Sequence, residues 1–237
     1  MEERGMNERI RRLRRESLDT PPHIDMERAR YFTESYRQYE GEVSVPELRA
    51  LALKNYFAKK TLYIGEGELI VGEKGCGPQA SPTFPDLCCH TAEDLKVMND
   101  RELISFRVKE EDYEFQQKEI IPYWEKRSIR HKILSHMTPE WKAAYQAGIF
   151  TEFMEQRGPG HTVGSENIYR KGLLEYKEDI GRERERLDYL HDPQALEKEA
   201  QLKGMDIACD AVILLASRYA QLAEDMACGC REEERKA

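Results

Sequence analysis

No run of 18 or more apolar residues occurs in the 237-residue sequence, so no segment has the length and apolarity of a membrane-spanning helix. The opening residues, MEERGMNERIRRLRRES, also lack the apolar stretch of a secretory signal. A cytoplasmic protein without membrane contact is expected. Cysteine is scarce: six residues, at 76, 88, 89, 209, 228 and 230, with no Cys-x-x-Cys pair. In a cytoplasmic chain these read as reduced thiols and not as a disulfide framework. A basic surplus is missing as well. The net charge is −8, with 35% of residues charged, which argues against nucleic acid as a partner because phosphate neutralisation needs a basic surface. Two patterns hint at bound ions, and both fall short. Cys88-Cys89-His90 places three ligand types in succession, whereas zinc ligands are spaced so that they converge from a turn. These thiols, and those of Cys228-Gly229-Cys230, are read as packed or exposed, and no metal is assigned. Gly65-Glu66-Gly67 is followed neither by Gly-Lys-Ser/Thr nor directly by a helix start, so phosphate binding is discounted.

What is present is a chain with 40% hydrophobic residues, compatible with a folded core, and with mostly helical punctuation. Ile10 and Leu13, set among Arg9, Arg11, Arg12, Arg14 and Arg15, share a helix face. That pattern reads as a docked surface helix, with a polyanion-binding arm as the alternative. Thr20-Pro21-Pro22 stops it, Asp25 can cap the next helix, and Gly41 can close that one. Pro46-Glu47 opens another, with Leu48, Leu51, Leu53, Tyr56 and Phe57 as its apolar face. The β-favouring triplets Leu62-Tyr63-Ile64 and Leu69-Ile70-Val71 flank a glycine-rich loop and read as short extended segments. Residues 76–92, with three prolines, form an irregular loop that must pack on something to be ordered.

Helical signals return at Thr91-Ala92-Glu93-Asp94, which resembles a capping box. Pro122 is expected to break or kink the helix that follows, and Thr138-Pro139-Glu140 to start another ending near Gly148. Near the end, Leu202, Met205, Ala208, Val212, Leu215, Tyr219, Leu222 and Met226 recur at helical spacing. One long, well-buried helix is expected there.

Between these helices, residues 153–163 read FMEQRGPGHTV. Pro159 lacks an N–H and restricts Gly158, so the chain must turn sharply at this point. On the residues alone, His161 is either a satisfied histidine beside a loop or a functional group presented by the turn. Phe153 is either core or the wall of a cavity, and Arg157 either pairs with Glu155 or is free to hold a carboxylate.

Taken together, PPHIDMERARYFTESYRQYEG, GELIVGEKG, SPTFPDLCCHT, EIIPYWEKR, TEFMEQRGPGHTV and IYRKGLLEYKEDI resemble the N-terminal part of the glycyl radical enzymes, the pyruvate formate-lyase-like dehydratases and lyases. The resemblance runs from about Arg9 to Cys228. It implies a mainly α fold with short β segments, the N-terminal helical portion of a ten-stranded α/β barrel, with residues 1–237 as the leading part of a longer domain. The sequence contains no Arg-Val-x-Gly radical signature, and none of its cysteines lies in a matching thiyl motif.

By the same resemblance, the glycyl radical sits on a C-terminal part outside this sequence, installed by an activating enzyme that uses S-adenosylmethionine and an iron–sulfur cluster. No cofactor is expected on this chain itself, and alone it should be inactive. The implied reaction is loss of water from a hydroxyproline to give a pyrroline-5-carboxylate. His161 would be the catalytic acid, and Phe153 and Arg157 the substrate-binding residues. Implied partners are a small-molecule substrate, the activating enzyme, the rest of the barrel and a second copy in a homodimer. Alternatives are a helical interaction module without chemistry, and a lyase for glycerol, propanediol or choline.

Overall fold

The computed structural model describes residues 7–149 and 165–230. Helix α1 (Glu8–Asp19) starts at Asn7, whose side chain accepts the Ile10 N–H. It is docked, as its pattern implies: Arg9 donates to the Gly67 carbonyl at 2.9 Å and Arg12 pairs with Glu66 at 2.7 Å. Two of its arginines are therefore committed within the fold.

Strand β1 (His23–Asp25) pairs in parallel with β2 (Ala80–Pro82), in the register His23 to Ala80, and its other side bridges to Arg107. The strands are not those expected from local propensity. Leu62-Tyr63-Ile64 and Leu69-Ile70-Val71 belong to no strand of the described residues, and Leu69 and Ile70 lie in a bend. β-Propensity records fit to a pleated, half-buried surface, and here tertiary placement gives the pairing to residues beside the prolines instead. The proline-rich loop is indeed packed. It supplies β2, and the Asp86 and Leu87 carbonyls accept the Ile129 and Arg130 N–H groups at 3.0 Å each.

Helices α2 (Glu27–Tyr39) and α3 (Val45–Lys59) form an antiparallel pair. Gly41, at φ +85°, takes the left-handed conformation just beyond the first. The second opens with a full capping box between Ser44 and Glu47. That hydrogen bond from Ser44 holds the Glu47 carboxyl below its ordinary range. Leu48 and Tyr56 of the expected apolar face are buried, but so are Ala50 and Ala52, because α3 lies between α2 and a helix on its other side. The core between α2 and the later elements holds Ile24, Met26, Ala29, Ile120 and Trp124. The Trp124 indole donates to the Thr33 hydroxyl at 2.8 Å.

Helix α4 (Ala92–Asp100) has the capping box its sequence announces, Thr91 with Asp94, and buries Leu95. Helix α5 (Glu110–Phe115) passes through one π-helical turn (Gln116–Ile120) into α6 (Ile121–Trp124). Pro122 cannot donate to a carbonyl in the preceding turn, and the wider turn lies where that bond is lost. Helices α7 (Ile129–His136) and α8 (Pro139–Gln146) follow, and Gly148 at φ +72° ends the latter where expected. A 3-10 turn (Ser165–Tyr169) and α9 (Leu173–Glu185) lead to α10 (Ala195–Gly229). This last helix is single and long, but not well buried. It packs chiefly along α3, burying Ala195, Gly204, Ala211 and Tyr219 while Met205, Val212 and Met226 stay exposed.

Candidate functional site

The residues singled out on the Gly-Pro-Gly turn, Phe153, Arg157 and His161, lie outside the described residues. Among the described residues there are three clusters of polar groups that the sequence did not mark as sites.

The first is centred on Arg28 of α2. Its guanidinium spans both carboxylate oxygens of Asp86, at 2.8 and 3.2 Å, and also donates to the Thr83 carbonyl at 3.3 Å. Its plane is stacked between Phe32 and Phe84, 3.7 and 4.0 Å from the two ring centres. Bidentate pairing with stacking uses the geometric properties by which arginine differs from lysine. Arg28, Phe32 and Phe84 line a cleft of about 620 Å³ that also involves Arg49, Met205 and Ala208. Asp86 neutralises Arg28, so the charge of Arg28 is met within the fold.

The second is built on Asp25, at the end of β1. One carboxylate oxygen accepts the Glu27 N–H and the other the Cys76 N–H, both at 2.8 Å. The capping role assigned to Asp25 is thus met from just outside the helix, and the same side chain ties residue 76 to the sheet. Gly75 is required beside it, since a Cβ there would lie 2.7 Å from both the Asp25 carboxylate and the Ala80 carbonyl. His23, Cys76, Lys109 and Asp112 complete a cleft of about 170 Å³. Burial raises the pKa of the Asp112 carboxyl and of the Cys76 thiol, so both are drawn toward their neutral forms.

The third cluster holds residues 61–76. Lys60, only 2% exposed, donates its ammonium to the carbonyls of Glu73 and Lys74 at 2.5 and 3.3 Å. Tyr56 donates to the Lys74 carbonyl at 2.7 Å, and Arg218 of α10 donates to the Phe57 and Lys60 carbonyls. Burial lowers the Lys60 pKa. Glu27 accepts from both the N–H and the hydroxyl of Thr61, and Tyr63 donates to Glu16, a bond that pushes the phenol up to about 12.

Cys88-Cys89-His90 takes a packing role. Cys88 is buried, burial pushes the Cys89 thiol up to about 12, and burial lowers the pKa of His90. The His90 carbonyl accepts the Gln116 amide at 2.6 Å. Among the described residues no group of three or more His, Cys, Asp or Glu side chains could hold a metal ion. One signal could have marked Arg28 in advance: an arginine four residues before a phenylalanine on the apolar face of a helix. Asp86 and Lys60 carry no such local signal, because their partners lie across the fold.

Comparison with known proteins extends the picture over the whole chain. The family model described as "Pyruvate formate lyase-like" matches residues 6–237. The trans-4-hydroxy-L-proline dehydratase of Clostridioides difficile is 54% identical over 94% of this chain, and the match covers 28% of that enzyme. The crystal structure of hydroxyproline dehydratase from the same organism, with trans-4-hydroxy-L-proline bound, superposes with a TM-score of 0.92 at 53% identity, over 98% of this chain and 30% of that one. A glycyl radical enzyme from Archaeoglobus fulgidus superposes with a TM-score of 0.83 at 28% identity, over 97% of this chain and 29% of its own. The chain thus spans somewhat under a third of the length of the relatives it matches. The mainly helical fold with its small parallel sheet is that of the matching part of these enzymes, and the chain belongs to the pyruvate formate lyase-like family.

Proposed function

We propose that residues 1–237 form the leading, mainly helical portion of a glycyl radical dehydratase, a C–O lyase that removes water from trans-4-hydroxy-L-proline to give a pyrroline-5-carboxylate. The observation that carries this reading is the 54% identity, over 94% of the chain, with an enzyme named for that reaction. In such an enzyme the glycyl radical, installed by an activase that uses S-adenosylmethionine and an iron–sulfur cluster, supplies hydrogen abstraction. The radical signature and the thiyl motif do not occur in these 237 residues, so no part of that abstraction is assigned to them.

What this chain would contribute is the handling of the leaving group and the substrate. Hydroxide leaves poorly unless its oxygen is protonated, and an imidazole, with a reference pKa of about 6.5, holds a transferable proton near neutrality. His161 is the proposed acid at the C4 hydroxyl. Phe153 would wall the pyrrolidine ring from water, and the Arg157 fork would hold the substrate carboxylate. The setting is cytoplasmic, and the assembly a homodimer of the complete enzyme.

The test is a chimaera in which these residues replace the matching part of the Clostridioides difficile enzyme. It should dehydrate trans-4-hydroxy-L-proline after anaerobic activation. His161→Gln should keep the radical content but slow turnover by roughly 10²- to 10⁴-fold, the range for loss of a positioned acid. Turnover within a few-fold of the parent, at equal radical content, would make His161 a structural residue. A chimaera that accepts glycerol but not hydroxyproline would overturn the substrate assignment.

A further inference from the structure

Residues 61–76 form an irregular strap whose middle carries three consecutive apolar side chains, Leu69, Ile70 and Val71, at 79%, 91% and 41% exposure. Glycines in the left-handed region bracket the tip, Gly67 at φ +83° and Gly72 at φ +131°. Gly67 is also closely approached, since a Cβ there would lie 2.7 Å from the Arg12 guanidinium. Nothing lies within 4 Å of the corresponding point on Gly72.

On both sides of the tip the strap is held firmly. Before it, Arg9 and Arg12 grip the carbonyls of Gly67 and Glu66, and the Glu68 carboxylate accepts the Gly65 N–H at 2.9 Å. After it, Tyr56 and Lys60 hold the carbonyls at 73 and 74, and Asp25 holds the N–H at 76. Lys60 has no carboxylate within 4 Å among the described residues, although it is almost fully buried. Burying an ammonium is costly, and its effect here is to fix a segment whose tip, Leu69 to Val71, is exposed. Contiguous exposed apolar groups on a fixed backbone are the mark of a surface that another surface covers.

We infer that the 69–71 tip is a docking element for the remaining part of the same enzyme, the portion of the barrel encoded outside these 237 residues. The inference rests on the chain being part of such an enzyme. The occupant follows from extent: the chain superposes on hydroxyproline dehydratase with a TM-score of 0.92 yet covers 30% of it, so most of that protein is available to lie against the tip. A clamped apolar tip fits a preformed pocket at little ordering cost, since the backbone is already fixed.

The experiment places a single reporter at the tip, Ile70→Cys, in the 237-residue chain and in the chimaera, and follows maleimide labelling of that peptide by mass spectrometry. The expected result is rapid labelling in the chain and labelling at least 10-fold slower in the chimaera. Equal rates overturn the inference. Slow labelling in the chain that quickens on dilution also overturns it, because the occupant is then a second copy. Ile70→Asp serves as an independent arm: the melting temperature of the chain should move by less than about 2 °C and that of the chimaera by at least about 5 °C. Equal shifts in the two overturn the inference. A chimaera that protects residue 70 but dehydrates nothing keeps the docking and sinks the functional reading, while an active chimaera with residue 70 freely labelled does the reverse.

Discussion

Removing one member of the Arg28–Asp86 pair leaves the other as a buried charge, because the two side chains are only 9% and 3% exposed. Asp86→Asn should therefore cost about 3–5 kcal/mol, read as a shift in urea midpoint at unchanged slope. Replacing both residues with apolar ones should cost far less, and a double variant as unstable as the single would count against this account. A second residue-scale expectation concerns Cys89. With its thiol pushed up to about 12, about one molecule in 10⁴ carries the thiolate at pH 8, against roughly a quarter for an ordinary thiol of pKa about 8.5. Alkylation at pH 8 should spare Cys89 while it reaches the exposed Cys228, and equal rates at the two would refute the shift. The sign for stability follows from the raised folded value. The folded chain binds the extra proton above about pH 8.5, so this thiol lowers stability as pH rises from there toward 12.

At the scale of elements, the meeting of α3 with α10 depends on one missing side chain. A Cβ on Gly204 would lie 2.9 Å from the Pro46 carbonyl oxygen, so the helices approach to a distance that alanine does not allow. Gly181 in α9 has nothing within 4 Å of the same point. Gly181→Ala should stabilise the chain by about 0.4–1 kcal/mol through the helix preference for alanine, whereas Gly204→Ala should destabilise it despite that preference. Thermal melts of the two variants decide, and shifts of the same sign would refute the argument. The helices were readable because their starts and stops are local: Ser44 with Glu47, Thr91 with Asp94, and the glycines at 41 and 148. The strands were not, since a pairing 57 residues apart, His23 with Ala80, is set by the α2–α3 pair that closes the loop. The burial of α10 is not legible in the sequence for a similar reason. Helical spacing shows which residues share a face, but not whether a neighbour covers it. At the site, the Gly-Pro-Gly turn drew attention to His161, whereas the buried pairings of Arg28, Asp25 and Lys60 exist only once distant loops have been brought to them.

For the molecule as a whole, the proposal makes a negative prediction that is simple to check. Incubated anaerobically with an activating enzyme and S-adenosylmethionine, the 237-residue chain should show no glycyl radical doublet by electron paramagnetic resonance and should consume no hydroxyproline. A doublet from this chain alone would sink the view that the radical residue lies elsewhere. The contact between α3 and α10 also bears on how the chain is made. Lys54 and Asp210, which pair across it at 3.2 Å, are 156 residues apart. At synthesis rates of about 5–20 residues per second, α3 leaves the ribosome roughly 8–30 s before its partner helix exists. Through that interval α3 has α2 and the 61–76 strap beside it, but not the helix that packs along its other side. The side of α3 that faces α10 therefore stays uncovered until residues 195–229 have been made, and this layer is completed only then.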